Sequence, residues 1–106
     1  MSAFNKAKNL GYVVKLKHHR RKDGGVTTRV ALIKDDEVKI GESKCHPDDQ
    51  FSRKIARERA IGLTLKGKQQ NFAGLNQDIL KALVNAEVFH FDADKACEEA
   101  EFYGVE

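Results

Sequence analysis

The chain predicts an α+β domain: a three-stranded antiparallel sheet followed by three helices, one of them packed on the sheet. Three observations lead there. Apolar and polar residues alternate with period two over residues 11–44, apolar residues recur at helical spacing after residue 49, and the only proline, Pro47, separates the two regimes. At 106 residues there is room for one domain with a modest core.

Each element follows from local chemistry. Met1 to Lys8 is short and polar and is expected to fray. From Gly11, Tyr12, Val14 and Leu16 point to one side and Val13, Lys15 and Lys17 to the other, a half-buried strand. Arg20-Arg21-Lys22-Asp23-Gly24-Gly25 reads as a hairpin turn, with two glycines where positive φ angles are favoured. Val26, Thr28, Val30 and Leu32 then alternate with Thr27, Arg29, Ala31 and Ile33. Lys34-Asp35-Asp36-Glu37 is a second tight turn, and Val38 to Lys44 a shorter, more polar third strand.

After Pro47, Asp48, Asp49 or Ser52 can cap a helix over 49–66. It has two apolar arcs, Phe51, Ile55 and Leu65 on one and Ala56, Ala60 and Leu63 on the other. Two faces predict a helix held between the sheet and something downstream. Gly67 to Gly74 reads as a linker. A helix over 75–89 has Asn76 as its cap, a Leu75–Leu80 staple and a stripe of Leu75, Ile79, Ala82, Leu83 and Ala86. A last helix over 92–103, capped by Asp92, turns Ala93, Ala96, Cys97 and Ala100 inward.

The charge is divided. Residues 1–68 hold 17 Lys and Arg against 8 Asp and Glu, whereas residues 69–106 hold 2 against 8. A basic half suits a polyanionic partner, because each cation that displaces counterions from a phosphate chain adds salt-sensitive affinity. No apolar run approaches the roughly 18–20 residues that span a bilayer, and no secretory leader is evident, so a cytoplasmic protein without membrane contact is expected. Cys45 and Cys97, far apart and outside any CxxC pair, read as reduced thiols.

No constellation suggests catalysis, and no enzyme activity, cofactor or metal is expected. Cys45-His46-Pro47-Asp48-Asp49 gathers metal-ligating residue types, but adjacent Cys and His side chains diverge and no second cluster completes a tetrahedral site. His18 and His19 sit on opposite faces of a strand and serve better as additional charge below about pH 6.5. Phosphate-loop, dinucleotide and nucleophile-elbow motifs are missing.

The basic residues, by contrast, converge. Lys15 and Lys17 share one strand face, Arg20, Arg21 and Lys22 form the hairpin tip, Lys44 ends the third strand, and Arg53, Lys54 and Arg57 open the following helix. Cations at a helix N-terminus oppose the macrodipole, and a bound anion relieves that conflict. Gly41-Glu42-Ser43-Lys44 followed by Ser52-Arg53-Lys54-Ile55-Ala56-Arg57-Glu58-Arg59-Ala60 resembles the end of a double-stranded-RNA-binding domain. The resemblance covers about half the chain. It implies a β-β-β-α topology in which a hairpin loop enters a minor groove and the helix-opening cations clamp phosphates. The family's first helix has no evident counterpart before Leu10, its Gly-Pro-x-His loop is replaced by His18-His19-Arg20-Arg21-Lys22, and seven residues intervene between Lys44 and Ser52. In general style the chain also resembles small bacteriophage accessory proteins, which would place it in a bacterial host cell.

The expected function is a binding module that contacts nucleic acid or a nucleoprotein through Lys15, Lys17, Arg20, Arg21, Lys22, Arg53, Lys54 and Arg57. The alternative is a phage-type regulator or inhibitor docking on a host protein through Asp94, Glu98, Glu99 and Glu101. A homodimer joining basic to acidic halves is a third arrangement.

Overall fold

The computed structural model describes residues 2–35, 37–67, 70–74 and 76–92. It is an α+β structure whose centre is an antiparallel meander: β1 (Val13–Arg20), β2 (Val26–Lys34) and β3 (Glu37–Cys45). The register, Val14 opposite Leu32 and Val30 opposite Gly41, sorts the side chains as the alternation requires. β2 is buried on both faces. Val30 and Leu32 line one side and Ala31 the other.

Helix α2 (Arg53–Leu65), capped by Ser52, whose Oγ accepts the Ile55 N–H at 3.4 Å, lies on the Val30–Leu32 face. Ala60 and Ile61 reach the sheet there, while Tyr12, Val14 and Leu16 complete the layer. Burying each large aliphatic side chain in such a layer stabilises by about 1.5–3 kcal/mol.

The element beside α2 is upstream, not downstream as the two apolar arcs suggested. Ala3–Asn9 forms a helix, α1, instead of fraying. Seven residues are too few to hold a helix in isolation, so α1 depends on contacts elsewhere in the fold. Ser2 Oγ accepts the Asn5 N–H at 3.1 Å, and the Phe4 N–H donates to Glu58 Oε2 of α2 at 3.1 Å. Ala7 is fully buried.

The opposite face of the sheet is covered from downstream. Helix α3 (Gln77–Val84) starts at Asn76, whose side chain accepts the Asp78 N–H at 2.7 Å, and runs into a π-helical turn over Asn85–Phe89. Leu80, Val84 and Val88, spaced four apart, pack on Ala31, Val38 and Ile40. This corrects the stripe read from the sequence: Ile79 is exposed, as are Ala82 and Ala86. The π turn that follows is bonded to the sheet through two of its carbonyls. The Glu87 carbonyl accepts from Arg29 Nε at 2.8 Å, and the Val88 carbonyl accepts from His19 Nε2.

Gly67 to Gly74 is not a plain linker. Gln70–Ala73 forms β4, an edge strand paired with β3 from Glu37 to Ile40, flanked by Gly67 and Gly74 at φ 72° and 74°. A polar four-residue strand has no periodicity of its own to read. The helix expected over 92–103 begins at the last described residue, so that reading lies outside the described residues, as do Leu75 and Cys97. No helix among the described residues is long and apolar enough to cross a membrane.

Candidate nucleic-acid interface

Five residues, Arg21 to Gly25, join β1 to β2, and Arg21 anchors them. Its Nη1 donates to Thr27 Oγ1 at 3.0 Å, its Nη2 to the Cys45 carbonyl at 2.8 Å, and its Nε lies 3.3 Å from Asp23 Oδ1. Arg21 is therefore buried, a correction to its expected place on the surface: the end of β3 needs a donor, and Arg21 supplies it. Gly24 takes a positive φ of 93°. Gly25 does not; it is glycine because a Cβ there would fall 2.6 Å from the Cys45 carbonyl oxygen. The Gly25 N–H donates to Asp23 Oδ1 at 2.8 Å, and that bond, aided by Arg21, holds the Asp23 carboxyl below its ordinary value.

The tip is set beside the connection that leads into α2. A Cβ on Gly24 would lie 3.7 Å from Pro47 Cβ. His46, Pro47 and Asp48 form a self-contained turn, with the His46 ring 3.6 Å from Asp48 Oδ2 and accepting the Asp48 N–H at 3.2 Å. Neither Asp48 nor Asp49 caps α2, and its first turn contains no acidic residue. Phe51 meets the His18 ring edge-on, with centroids 5.1 Å apart, which seats the start of α2 over the end of β1.

Arg20 and Lys22 at the tip and Arg53 and Lys54 on the first turn of α2 are exposed, the tip lying beside Pro47 and the start of α2 against His18. The other four predicted contacts are elsewhere. Lys15 and Lys17 are exposed on the opposite face of β1, where Lys15 borders the cleft beneath α3. Arg57 lies 4.6 Å over the Phe4 ring and 3.4 Å from Glu58 Oε1, holding α1 to α2. Arg21 is internal. Asp94, Glu98, Glu99 and Glu101, the acidic residues of the alternative, lie outside the described residues.

Two further features go beyond the sequence reading. The His18–Phe51 contact joins positions 33 apart and leaves no local signal. Arg59 and Lys66, seven residues apart on one helix face, share a groove with Lys44; their helical spacing is the signal that could have found them. Compared with known protein families, curated proteins and solved structures, the chain has no match.

His18 gives this end a pH response. Burial first, then the Arg53 guanidinium and the His19 ring, hold its imidazole below the ordinary value of 6.5, and Nδ1 is hydrogen-bonded to Thr28 Oγ1 at 2.7 Å. As pH falls through 6.5 the unfolded chain takes up the proton before the folded one, so stability is lost over the interval down to the folded value. The melting temperature is expected to drop as pH falls through 6.5, and His18→Gln to flatten that drop. Equal slopes for the two proteins would remove His18 as the cause.

Proposed function

We propose that this protein is a non-enzymatic module that binds nucleic acid, alone or within a nucleoprotein, through its hairpin tip and the N-terminus of α2. The reading is carried by the first turn of α2. Arg53 and Lys54 occupy a helix end that is already electropositive and has no acidic residue of its own, next to a tip bearing Arg20 and Lys22. Each such cation costs a helix a few tenths to about 1 kcal/mol, a conflict that a phosphate resolves. The element order helix, three strands, helix is compatible with the resemblance to double-stranded-RNA-binding domains and adds to the reading. The contacts are to phosphate, so affinity exceeds sequence selectivity.

Reversing Arg20, Lys22, Arg53 and Lys54 to Glu, with Arg21 kept because it holds the loop, tests the proposal. Fluorescence anisotropy with duplex RNA and duplex DNA should show wild-type binding that weakens steeply between about 50 and 200 mM salt. The variant should bind at least tenfold more weakly, with a salt slope reduced by about 1 for each phosphate it no longer engages. Lys15→Glu with Lys17→Glu should have a much smaller effect. Salt-insensitive binding, or no binding by the wild type, overturns the reading.

A further inference from the structure

β4 covers only the first half of β3's outer edge, from Glu37 to Ile40. Among the described residues no strand pairs with Ser43, Lys44 and Cys45 on that side, and α2 runs alongside to form the other wall of an open groove. Ile55, Arg59, Gly62 and Lys66 fall on this side of α2 at spacings of four, three and four, one helical face.

Two features of this wall have no explanation among the described residues. Ile55, a large apolar side chain, is 54% exposed. Gly62 stands in the middle of a helix, where glycine is less favourable than alanine, yet a Cβ there would meet no atom within 4 Å. Nothing among the described residues asks for a glycine; close approach by another chain does.

The charges point the same way. Two of the three wall acids are engaged elsewhere, Glu42 with Arg29 at 2.9 Å and Glu58 with Arg57 and the Phe4 N–H; the third, Asp49, lies at the Phe51 end of the groove, away from Lys66. Among the described residues no carboxylate pairs with Lys44, Arg59 or Lys66, so the groove presents net positive charge beside unpaired strand groups.

We propose that this groove docks an extended acidic segment of a partner protein, which adds to β3 along Ser43–Cys45 as a short strand. Its main chain pairs with the edge, carboxylates on the α2-facing side of the added strand meet Arg59 and Lys66 while one on its other side meets Lys44, an apolar side chain covers Ile55, and Gly62 admits the backbone. A second copy of this chain is a poor occupant, because edge-to-edge pairing sets Lys44 and Arg59 against their own counterparts. A phosphate chain gains nothing from unpaired strand groups or from Ile55. The inference is independent of the nucleic-acid reading and concerns the adjoining groove between β3 and α2.

The test uses the full ¹⁵N-labelled chain and three probes: a blocked Glu-rich decapeptide with two adjacent Val residues, its Lys–Val counterpart, and a short RNA duplex. The acidic peptide should shift the amides of Ser43, Lys44, Cys45 and the Ile55–Lys66 face saturably. Its affinity should fall about tenfold or more in Lys44→Glu/Arg59→Glu, whose changes remove the attraction. Gly62→Leu should melt no lower than wild type, since the position is open, but should block the peptide. Absence of saturable shifts, equal response to the Lys–Val peptide, unimpaired binding by Gly62→Leu, or occupation of these amides by the duplex instead would each overturn the proposal.

Discussion

Arg29→Met is expected to be among the most destabilising single changes in the described structure, lowering stability by about 2–4 kcal/mol, because it leaves half-buried carboxylates without their cation. Arg29 projects from β2 toward the α3 side with its side chain only 11% exposed. Its Nη1 reaches Glu42 of β3 at 2.9 Å, its Nη2 reaches Glu87 at 2.8 Å, its Nε donates to the Glu87 carbonyl at 2.8 Å, and the guanidinium lies 4.2 Å over the Phe91 ring. One planar fork therefore ties two strands to the π turn. Without it, α3 and the π turn keep their apolar contact with the sheet, the His19–Val88 hydrogen bond and the Gln77 bond to the Asp35 carbonyl, and α3 should open before the meander does. Hydrogen exchange reads this directly: amides from Leu80 to His90 should become less protected in the variant, and those of β2 should change less. Arg29→Lys should recover little, since an ammonium cannot make the forked contacts. An unchanged denaturation midpoint in Arg29→Met would show that α3 is held without the Arg29 fork, by packing and by the His19 and Gln77 hydrogen bonds.

Gly25→Ala is expected to be nearly as damaging although it adds one methyl group. The new Cβ would lie 2.6 Å from the Cys45 carbonyl oxygen and closer still to Arg21 Nη2. The guanidinium must leave, giving up Thr27 Oγ1 and the Cys45 carbonyl, and the backbone pair Val26–Cys45 must part. Broken hydrogen bonds to a buried charge and overpacking together amount to about 3 kcal/mol or more, a drop of over 10 °C in melting temperature at roughly 4–8 °C per kcal/mol. Arg21→Ala should itself destabilise, and Gly25→Ala should cost less in that background because part of the clash is gone. Additive effects in the double variant would mean that Gly25 is not there to make room for Arg21. Arg21→Gln offers a functional counterpart: lower stability, with the salt slope of nucleic-acid binding nearly unchanged.

Arg29 and Gly25 owe their importance to distant partners, and that marks how far local sequence reaches. The meander, both turns and the Ser52 and Asn76 caps are legible in the chain because side chains alternate across a strand and because capping side chains bond within three residues. α1 is not, because its stability comes from Glu58 and the α2 face, more than 50 positions away. The inward stripe of α3 differs from the one its spacing suggests because the helix offers two apolar faces, and Arg29 and His19 choose between them.

The basic residues divide on the same principle. Period-two alternation already separates Lys15 and Lys17 from His18 and Arg20, since neighbouring side chains leave a strand in opposite directions. Which of the remaining arginines faces water follows from no local pattern. Arg21, Arg29 and Arg57 are drawn inward by a carbonyl, by carboxylates and by an aromatic ring that long-range folding brings to them, whereas Arg20, Arg53 and Lys54 stay exposed. Charge and periodicity are properties of the chain. The pairing of a given charge is a property of the space around it, and that space exists only once the sheet has been covered on both faces.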